Sequence, residues 1–149
     1  GAVAKPGAIR QVGLAGGTAK SILSGVSPLS LSVAQSRFVW TEIATSQVRA
    51  ANIDGTDVRD VAVLDLEETV GNVIADDDNA YFATSNDKLS TATLRVVSLS
   101  PGATPEIVLT NKSGGAYVMT SDAFFVYVAN NRSGAILALS KALHTASIE

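Results

Sequence analysis

The sequence has 149 residues, with no cysteine and a single histidine, His144. Without cysteine, neither disulfide bonds nor thiolate metal sites can form. One histidine near the end of the chain, with no serine, cysteine or aspartate motif around it, argues against a catalytic triad or a histidine-based metal centre. This inventory favours a non-enzymatic role over an enzymatic one.

Charge and long apolar runs are also scarce. Charged residues make up 17% of the chain, and eleven basic against fourteen acidic side chains give a net charge of −3. The basic residues form no cluster, so we expect no nucleic-acid partner. No apolar run approaches the roughly 18 residues that cross a bilayer, so we expect no membrane insertion. The many Ser, Thr, Ala and Gly residues favour an extracellular or periplasmic protein.

What the sequence does contain is a repeat. Its hydrophobic content of 46% is sufficient for a packed core. Aromatic residues followed by a small or β-branched residue recur 42 and 45 residues apart, at Trp40, Phe82 and Tyr127. Self-similarity at a period of 20 to 50 residues is typical of repeat architectures. We expect these three aromatic side chains to occupy one strand position and to pack between repeats.

Each repeat is predicted to contain four strands, labelled A to D. The C strands superpose on Ile9, Val48, Leu94 and Ile136, and the D strands follow thirteen residues later at Ile22, Val61 and Ile107. Arginine follows three of the C positions, as Arg10, Arg49 and Arg95. Solvent-facing arginines are the favoured interpretation, and a ligand-binding ring of arginines is the alternative.

Four-stranded antiparallel units of this length predict an all-β fold, a β-propeller. We interpret residues 1–149 as a single propeller segment. It divides into strands C and D at 7–25, full blades at 28–68 and 70–113, and strands A, B and C at 115–143. The polar stretch Thr84–Thr93 is expected to form a long surface loop between strands B and C. Two segments, starting at Thr56 and Gly134, also allow a helix, but the repeat spacing favours strands.

The stretch "FVWTEIATSQVRAANIDGTDVRDV" resembles the YWTD-type repeat of low-density-lipoprotein-receptor propellers, with an aromatic B strand, a basic residue and an NxDG turn. "GAIRQVGLAGGTAKSILSG" followed by "LSVAQSRFVWTE" is similar to repeats of secreted bacterial propellers of mostly unassigned function. At the position of the YWTD aspartate, this chain has Glu42, Thr84 and Ala129. Such propellers commonly have six blades. The repeats of this chain amount to about three blade equivalents, so the resemblance implies that the chain supplies about half of a ring.

An open arc of blades would leave apolar blade faces in water, which favours association. We therefore expect a second chain to close the ring. One version is a homodimer in which the N-terminal C and D strands join the C-terminal A, B and C strands in a composite blade. The other is a further segment of the same parent protein. A compact monomer or a truncated parent chain is the remaining alternative.

The densest acidic cluster is Asp76, Asp77 and Asp78. It is the one candidate metal site, for Ca²⁺, which prefers several oxygen ligands. These residues also fall in a predicted turn between strands A and B, where aspartate is a good turn former. No other cofactor is expected. The preferred function is a non-enzymatic binding or structural module for a protein, peptide or glycan. The alternative is a hydrolase or lyase completed by missing blades, with Asp76, Asp77 or Glu42 contributing.

Overall fold

A computed structural model of the chain describes residues 7–112 and 117–142, and the backbone of 145–148. His144 lies outside the described residues. The first two strands, β1 (Gly7–Gln11) and β2 (Lys20–Val26), pair as a two-stranded antiparallel sheet, here called the half-blade. Among the described residues, no helix has the length and apolar character needed to cross a membrane.

Three four-stranded antiparallel sheets follow, and in each of them every strand pairs with the next along the chain. Blade 1 consists of β3 (Pro28–Val33), β4 (Arg37–Glu42), β5 (Gln47–Asn52) and β6 (Arg59–Val63). Blade 2 consists of β7 (Thr69–Ala75), β8 (Asn79–Asn86), β9 (Thr91–Ser98) and β10 (Glu106–Asn111). Blade 3 consists of β11 (Tyr117–Ser121), β12 (Phe125–Asn130), β13 (Ala135–Ser140) and β14 (Thr145–Ile148).

The sheets stack face to face in chain order. The first strand of blade 2, β7, contacts the first strands of both neighbours, β3 and β11. One apolar cluster joins the half-blade to blade 1, a second joins blade 1 to blade 2, and a third joins blade 2 to blade 3. Consecutive four-stranded meanders with adjacent first strands are the arrangement of blades in a β-propeller. The predicted fold class is confirmed, with three complete blades and half of another.

Alternating side chains give each blade two faces. The N-side face packs on the sheet that precedes it in the sequence, and the C-side face packs on the sheet that follows. In β4, Trp40 belongs to the cluster shared with the half-blade, and Val39 belongs to the cluster shared with blade 2. Because successive side chains of a strand point to opposite faces, a strand covered on both faces requires an unbroken apolar run. The segment Phe38-Val39-Trp40 meets this requirement, and all three side chains are buried.

The third repeat is shifted by one residue from the sequence interpretation. Trp40 pairs with Arg49 and Phe82 pairs with Arg95, whereas the residue paired with Leu137 is Val128. Val128 is buried on the N-side face, so it is the counterpart of Trp40 and Phe82. The placement of Tyr127 in this core position was wrong, because a slip of one residue moves a side chain to the opposite face.

The same shift changes the counterpart of Glu42 and Thr84. Glu42 and Thr84 lie opposite Pro28 and Val70 in the first strands of their blades, and Asn130 lies opposite Tyr117. The residue aligned with the YWTD aspartate in the third repeat is therefore Asn130, and the assignment to Ala129 was wrong.

Blade 3 contains a fourth strand, which lies beyond the end of the blade predicted from the sequence. Strand β14 pairs with β13 from Leu137 to Ser140. The predicted segment 115–143 was therefore too short. The D strand was expected thirteen residues after Ile136, at the last residue of the chain, so no D strand was predicted. Since β14 occupies the outer edge of β13, blade 3 has four strands within the chain. The composite blade with the N-terminal strands of a second copy stays a prediction.

The stretch Thr84–Thr93 is mostly strand, not a long loop. β8 runs to Asn86 and β9 begins at Thr91, so only residues 87–90 form the turn. The hydroxyls of Thr84 and Thr93 lie 2.6 Å apart across the two strands. The loop prediction was wrong because polarity suggested a surface turn, whereas threonine is a good strand former and its hydroxyls pair across the ladder. Both segments that also allowed a helix contain strands, β6 and β13.

The turn between β5 and β6 brings blade 1 against the half-blade. Gly55 has φ of +87°, and its N–H donates to the carbonyl of Asn52 at 2.8 Å. A Cβ on Gly55 would lie 2.6 Å from the carbonyl oxygen of Ile22 in β2. Asp54 accepts hydrogen bonds from the N–H and the hydroxyl of Thr56. Both the backbone conformation and the close approach require glycine at this position.

Candidate functional site

The packing of the described blades leaves the C-side face of blade 3 uncovered, and this face is called here the open face. It comprises the side chains that alternate with the blade 2 contacts along β11, β12 and β13. Val118 and Ile136 are 65% and 63% exposed, and Tyr127 is half-buried beside them. Apolar side chains at neighbouring positions of one sheet form a continuous patch, of the kind that marks an interaction surface.

Equivalent positions in the other blades show how unusual this exposure is. Val48 in blade 1, Leu94 in blade 2 and Ile136 in blade 3 occupy one position of the third strand. Val48 is fully buried and Leu94 is 1% exposed, because a following blade covers each of them. The exposure of Ile136 therefore reflects the lack of a covering sheet among the described residues, and not a more polar sequence.

A rigid turn borders the open face at the start of β12. The carboxylate of Asp122 accepts hydrogen bonds from the N–H groups of Phe124 and Phe125 at 2.7 and 2.8 Å. It also accepts one from the hydroxyl of Tyr127 at 2.9 Å. The two backbone N–H groups, with the tyrosine hydroxyl adding to them, hold the pKa of Asp122 below its ordinary value. The turn presents Phe124 to solvent, with 73% of the side chain exposed.

The predicted acidic cluster lies in the turn between β7 and β8, as expected, but two of its carboxylates make separate structural contacts. Asp76 accepts hydrogen bonds from the N–H groups of Asp78 and Asn79, and its other oxygen pairs with Lys141 at 3.4 Å. Asp77 accepts hydrogen bonds from the backbone and hydroxyl of Ser36 in blade 1. The turn thus connects blade 2 to both of its neighbours.

Asp78 lines a groove of about 510 Å³ together with Asn79, Phe124 and Lys141. Within the described part of the chain, no three carboxylate or histidine side chains are grouped as a metal ion would require. The calcium site at Asp76, Asp77 and Asp78 stays a prediction.

The structure does not bring together the residues proposed for an enzyme. Glu42 ends β4, whereas Asp77 bonds to Ser36, just before the start of β4. A strand of six residues separates these two sites by roughly 16 Å. Glu42 instead accepts a hydrogen bond from the N–H of Ser27 at 2.7 Å and lies 3.6 Å from Arg49.

Two of the three repeated arginines are paired with acidic residues and not solvent-facing. Arg49 donates to Asp60 at 2.9 Å and lies over the ring of Trp40, 5.5 Å from its centre. Arg95 donates to Glu68 at 2.6 Å. Arg10, in the half-blade, is exposed. The favoured solvent-facing interpretation is therefore wrong for Arg49 and Arg95, which face the N-side of their blades and hold acidic partners there.

The acidic partner of the arginine changes place between blades 1 and 2. In blade 1 the carboxylate is Glu42 at the end of the second strand, and it receives the N–H of Ser27 in the connection entering the blade. In blade 2 the carboxylate is Glu68 in the connection, and it accepts a hydrogen bond from the hydroxyl of Thr84 in the second strand. Both arrangements fasten the entering connection to the blade. The sequence shows neither, because the partners are distant in the chain.

A cavity of about 330 Å³ lies between the first strands of blades 2 and 3. Its polar lining includes Thr69, Asn72, Ser85, Asp87 and Tyr117. Burial raises the pKa of Tyr117 above its ordinary value. The lining offers hydroxyls, an amide and one carboxylate, groups that can hydrogen-bond to a polar ligand. Sequence reasoning missed this cavity, and the one local signal for it was the glycine at 71, where the pairing of β7 with β8 shifts.

Comparison with known proteins finds likeness among solved structures, with 36 matching chains. No protein-family model and no curated protein matches the chain. A chain from the crystal structure of a nidogen/laminin complex is 15% identical over a region covering 93% of this chain and 70% of that chain, with a TM-score of 0.46. At this level of similarity the fold assignment rests on the sheet topology of the chain itself.

Proposed function

We propose that the chain is a β-propeller segment that acts as a non-enzymatic binding or structural module and is completed by further blades outside it. The observation that supports this function is the open face. Ile136 is 63% exposed at a strand position where Val48 and Leu94 are buried by a following blade. Burying an apolar side chain of this size contributes about 1.5–3 kcal/mol, so an uncovered blade face is a source of binding free energy.

The resemblance to YWTD-type repeats and to secreted bacterial propellers supports a ring of about six blades and an extracellular or periplasmic location. Propellers of many families present their faces to other proteins, peptides or glycans, so this part of the proposal is an analogy of fold. The chain contributes three complete blades and half of another to such a ring.

The test is whether the open face is an adhesive apolar surface. We expect the purified chain to bind an environment-sensitive apolar dye. Ile136→Asp should reduce dye binding severalfold, because it places a charge in the patch. The matched control is Val63→Asp. Val63 is 65% exposed in the outer strand β6 of blade 1, away from the open face.

If wild type, Ile136→Asp and Val63→Asp bind the dye equally, the open face is inert. The binding role would then lose its support.

A further inference from the structure

We infer that a complete four-stranded blade from another propeller segment packs on the open face, and that a second copy of this chain does not. The inference rests on the proposed function and names the partner that the function requires. Two covered interfaces within the chain show what such a partner must supply.

The first requirement is an apolar counterpart on the N-side of the incoming blade. In the interface between blades 2 and 3, Tyr81 and Leu94 pack in one cluster with Met119, Val126 and Val128. The open face repeats the blade 2 side of this interface, with Tyr127 at the position of Tyr81 and Ile136 at the position of Leu94. A blade with an N-side face like that of blade 3 therefore matches the open face in both side-chain type and position.

A second feature, found in the interface between blades 1 and 2, is a hydrogen bond from the incoming first strand. In blade 1, the hydroxyl of Ser32 accepts the N–H of Ala75 in the first strand of blade 2, at 2.9 Å. Ser32 lies opposite Val39, and Thr120 lies opposite Tyr127 at the matching position of blade 3. Thr120 is exposed. The open face thus offers a hydroxyl acceptor where blade 1 uses one to bind the strand that follows.

A second copy of the chain does not supply this partner. Its leading element is the half-blade, which corresponds to the third and fourth strands of a blade. In the covered interfaces, the N-side contacts come largely from the first and second strands, through residues such as Val73, Phe82 and Val128. At the N-side position of the half-blade stands Arg10, the counterpart of Arg49. Arg10 has no acidic partner within the described part of the chain. Burying its charge without a partner against Ile136 would cost far more than the apolar contact supplies.

The half-blade also indicates how the incoming segment ends. In each complete blade the third strand is paired on both edges, whereas β1 pairs only with β2 among the described residues. The free edge of β1 is therefore the place for a second strand from the same partner. For a ring of about six blades, the partner would consist of two complete blades and a hairpin of first and second strands.

The probe is an extended chain in which a second copy of residues 113–149 follows Glu149. The chain has no cysteine, so Ile136→Cys in the first copy introduces a single thiol. We expect a maleimide to alkylate this thiol at least about tenfold more slowly in the extended chain than in the unextended one, because the added blade covers it. Val63→Cys is the control and should react at the same rate in both chains.

Two further variants make the result decisive. A second extension, with residues 67–111 in place of 113–149, supplies the N-side face of blade 2 in case the first extension does not fold. Val128→Asp in the added copy of blade 3 should restore fast alkylation at position 136 if protection depends on the apolar counterpart.

Equal alkylation rates at position 136 in the unextended chain and in both extended chains would overturn the inference. Protection in the unextended chain, accompanied by a doubled solution mass that Ile136→Asp abolishes, would make a second copy the occupant and would also overturn it. The proposed function fails separately, through the dye-binding measurements on the unextended chain.

Discussion

Blades 2 and 3 present C-side faces of nearly the same composition to different surroundings. Tyr81 and Leu94 of blade 2 are buried under blade 3, while their counterparts Tyr127 and Ile136 have no covering sheet among the described residues. The apolar pattern of a blade is thus encoded in its own sequence, but its burial depends on the next blade. In a protein built of repeats that contact only their neighbours, each interface stabilises the array separately. Four predictions test this contrast.

The largest effect is expected at Trp40, which is fully buried although only the two-stranded half-blade covers it. Trp40→Ala should lower the free energy of unfolding by about 3–5 kcal/mol, because it removes a large core side chain and leaves a cavity. Tyr127→Ala, on the open face, is the comparison and should cost less than about 1 kcal/mol. Urea unfolding measures both. A loss well under a kilocalorie for Trp40→Ala would show that the half-blade does not cover this side chain.

The direct test compares equivalent aliphatic residues on the covered and open faces. Leu94→Ala should cost about 2–5 kcal/mol, whereas Ile136→Ala should change stability by no more than roughly 0.5 kcal/mol. Equilibrium unfolding of the two variants under one set of conditions gives the difference. Similar losses would mean that Ile136 is covered in solution, and the contrast between the two faces would disappear.

A smaller effect on stability is expected from alanine at two glycines with positive φ. Comparing the two separates the cost of a steric contact from the cost of backbone strain. Gly55 approaches the backbone of β2, whereas Gly134 has a φ of +68° and open space around it. Gly134→Ala should cost about 1–2 kcal/mol from the left-handed conformation alone. Gly55→Ala should cost more, because its Cβ would also push the half-blade away from blade 1. If the two variants unfold at the same urea concentration, the half-blade is not held against this turn.

The smallest effect at neutral pH concerns Tyr81. Burial, with a further contribution from the negative charge of Asp76, raises the pKa of Tyr81 to about 12. Because the folded-state pKa lies above the unfolded value, Tyr81 stabilises the fold fully below about pH 10, and this contribution is lost as the pH rises towards 12. Ultraviolet titration should show late-ionising phenols, and Tyr81→Phe should have one fewer of them, because burial also raises the pKa of Tyr117. Ionisation of all tyrosines near pH 10 would show that blade 3 does not bury the C-side face of blade 2.

The repeat was predictable from the sequence wherever a clearly apolar strand segment follows a turn. Val48, Leu94 and Ile136 were aligned correctly because each begins a β-branched or aliphatic strand segment after a turn. Tyr127 was misaligned because aromatic residues occur on both faces of these blades, at Trp40 and at Tyr81, so residue type alone does not reveal which face is meant. Only the pairing of β12 with β13 resolves a shift of one residue.

The candidate site was less predictable, for reasons of distance in the chain. The exposure of Ile136 follows from a missing neighbour, which no local pattern reports. The contacts of Glu68 with Arg95 and of Asp77 with Ser36 join residues 27 and 41 positions apart. Thr84 and Thr93 were not recognised as strand residues, because a polar stretch of sequence resembles a loop. Only the structure shows that their hydroxyls pair with each other across two strands.

The exchanged carboxylates of blades 1 and 2 set a limit on how this protein can be rebuilt from its parts. Grafting β4 in place of β8 would set Glu42 beside Glu68 and give Arg95 two acidic neighbours. The reverse graft would remove the Glu42 carboxylate and leave Arg49 with Asp60 alone. The interchangeable module is therefore not a strand. It is the entering connection together with the second and third strands, and recombination of these repeats should preserve that module whole.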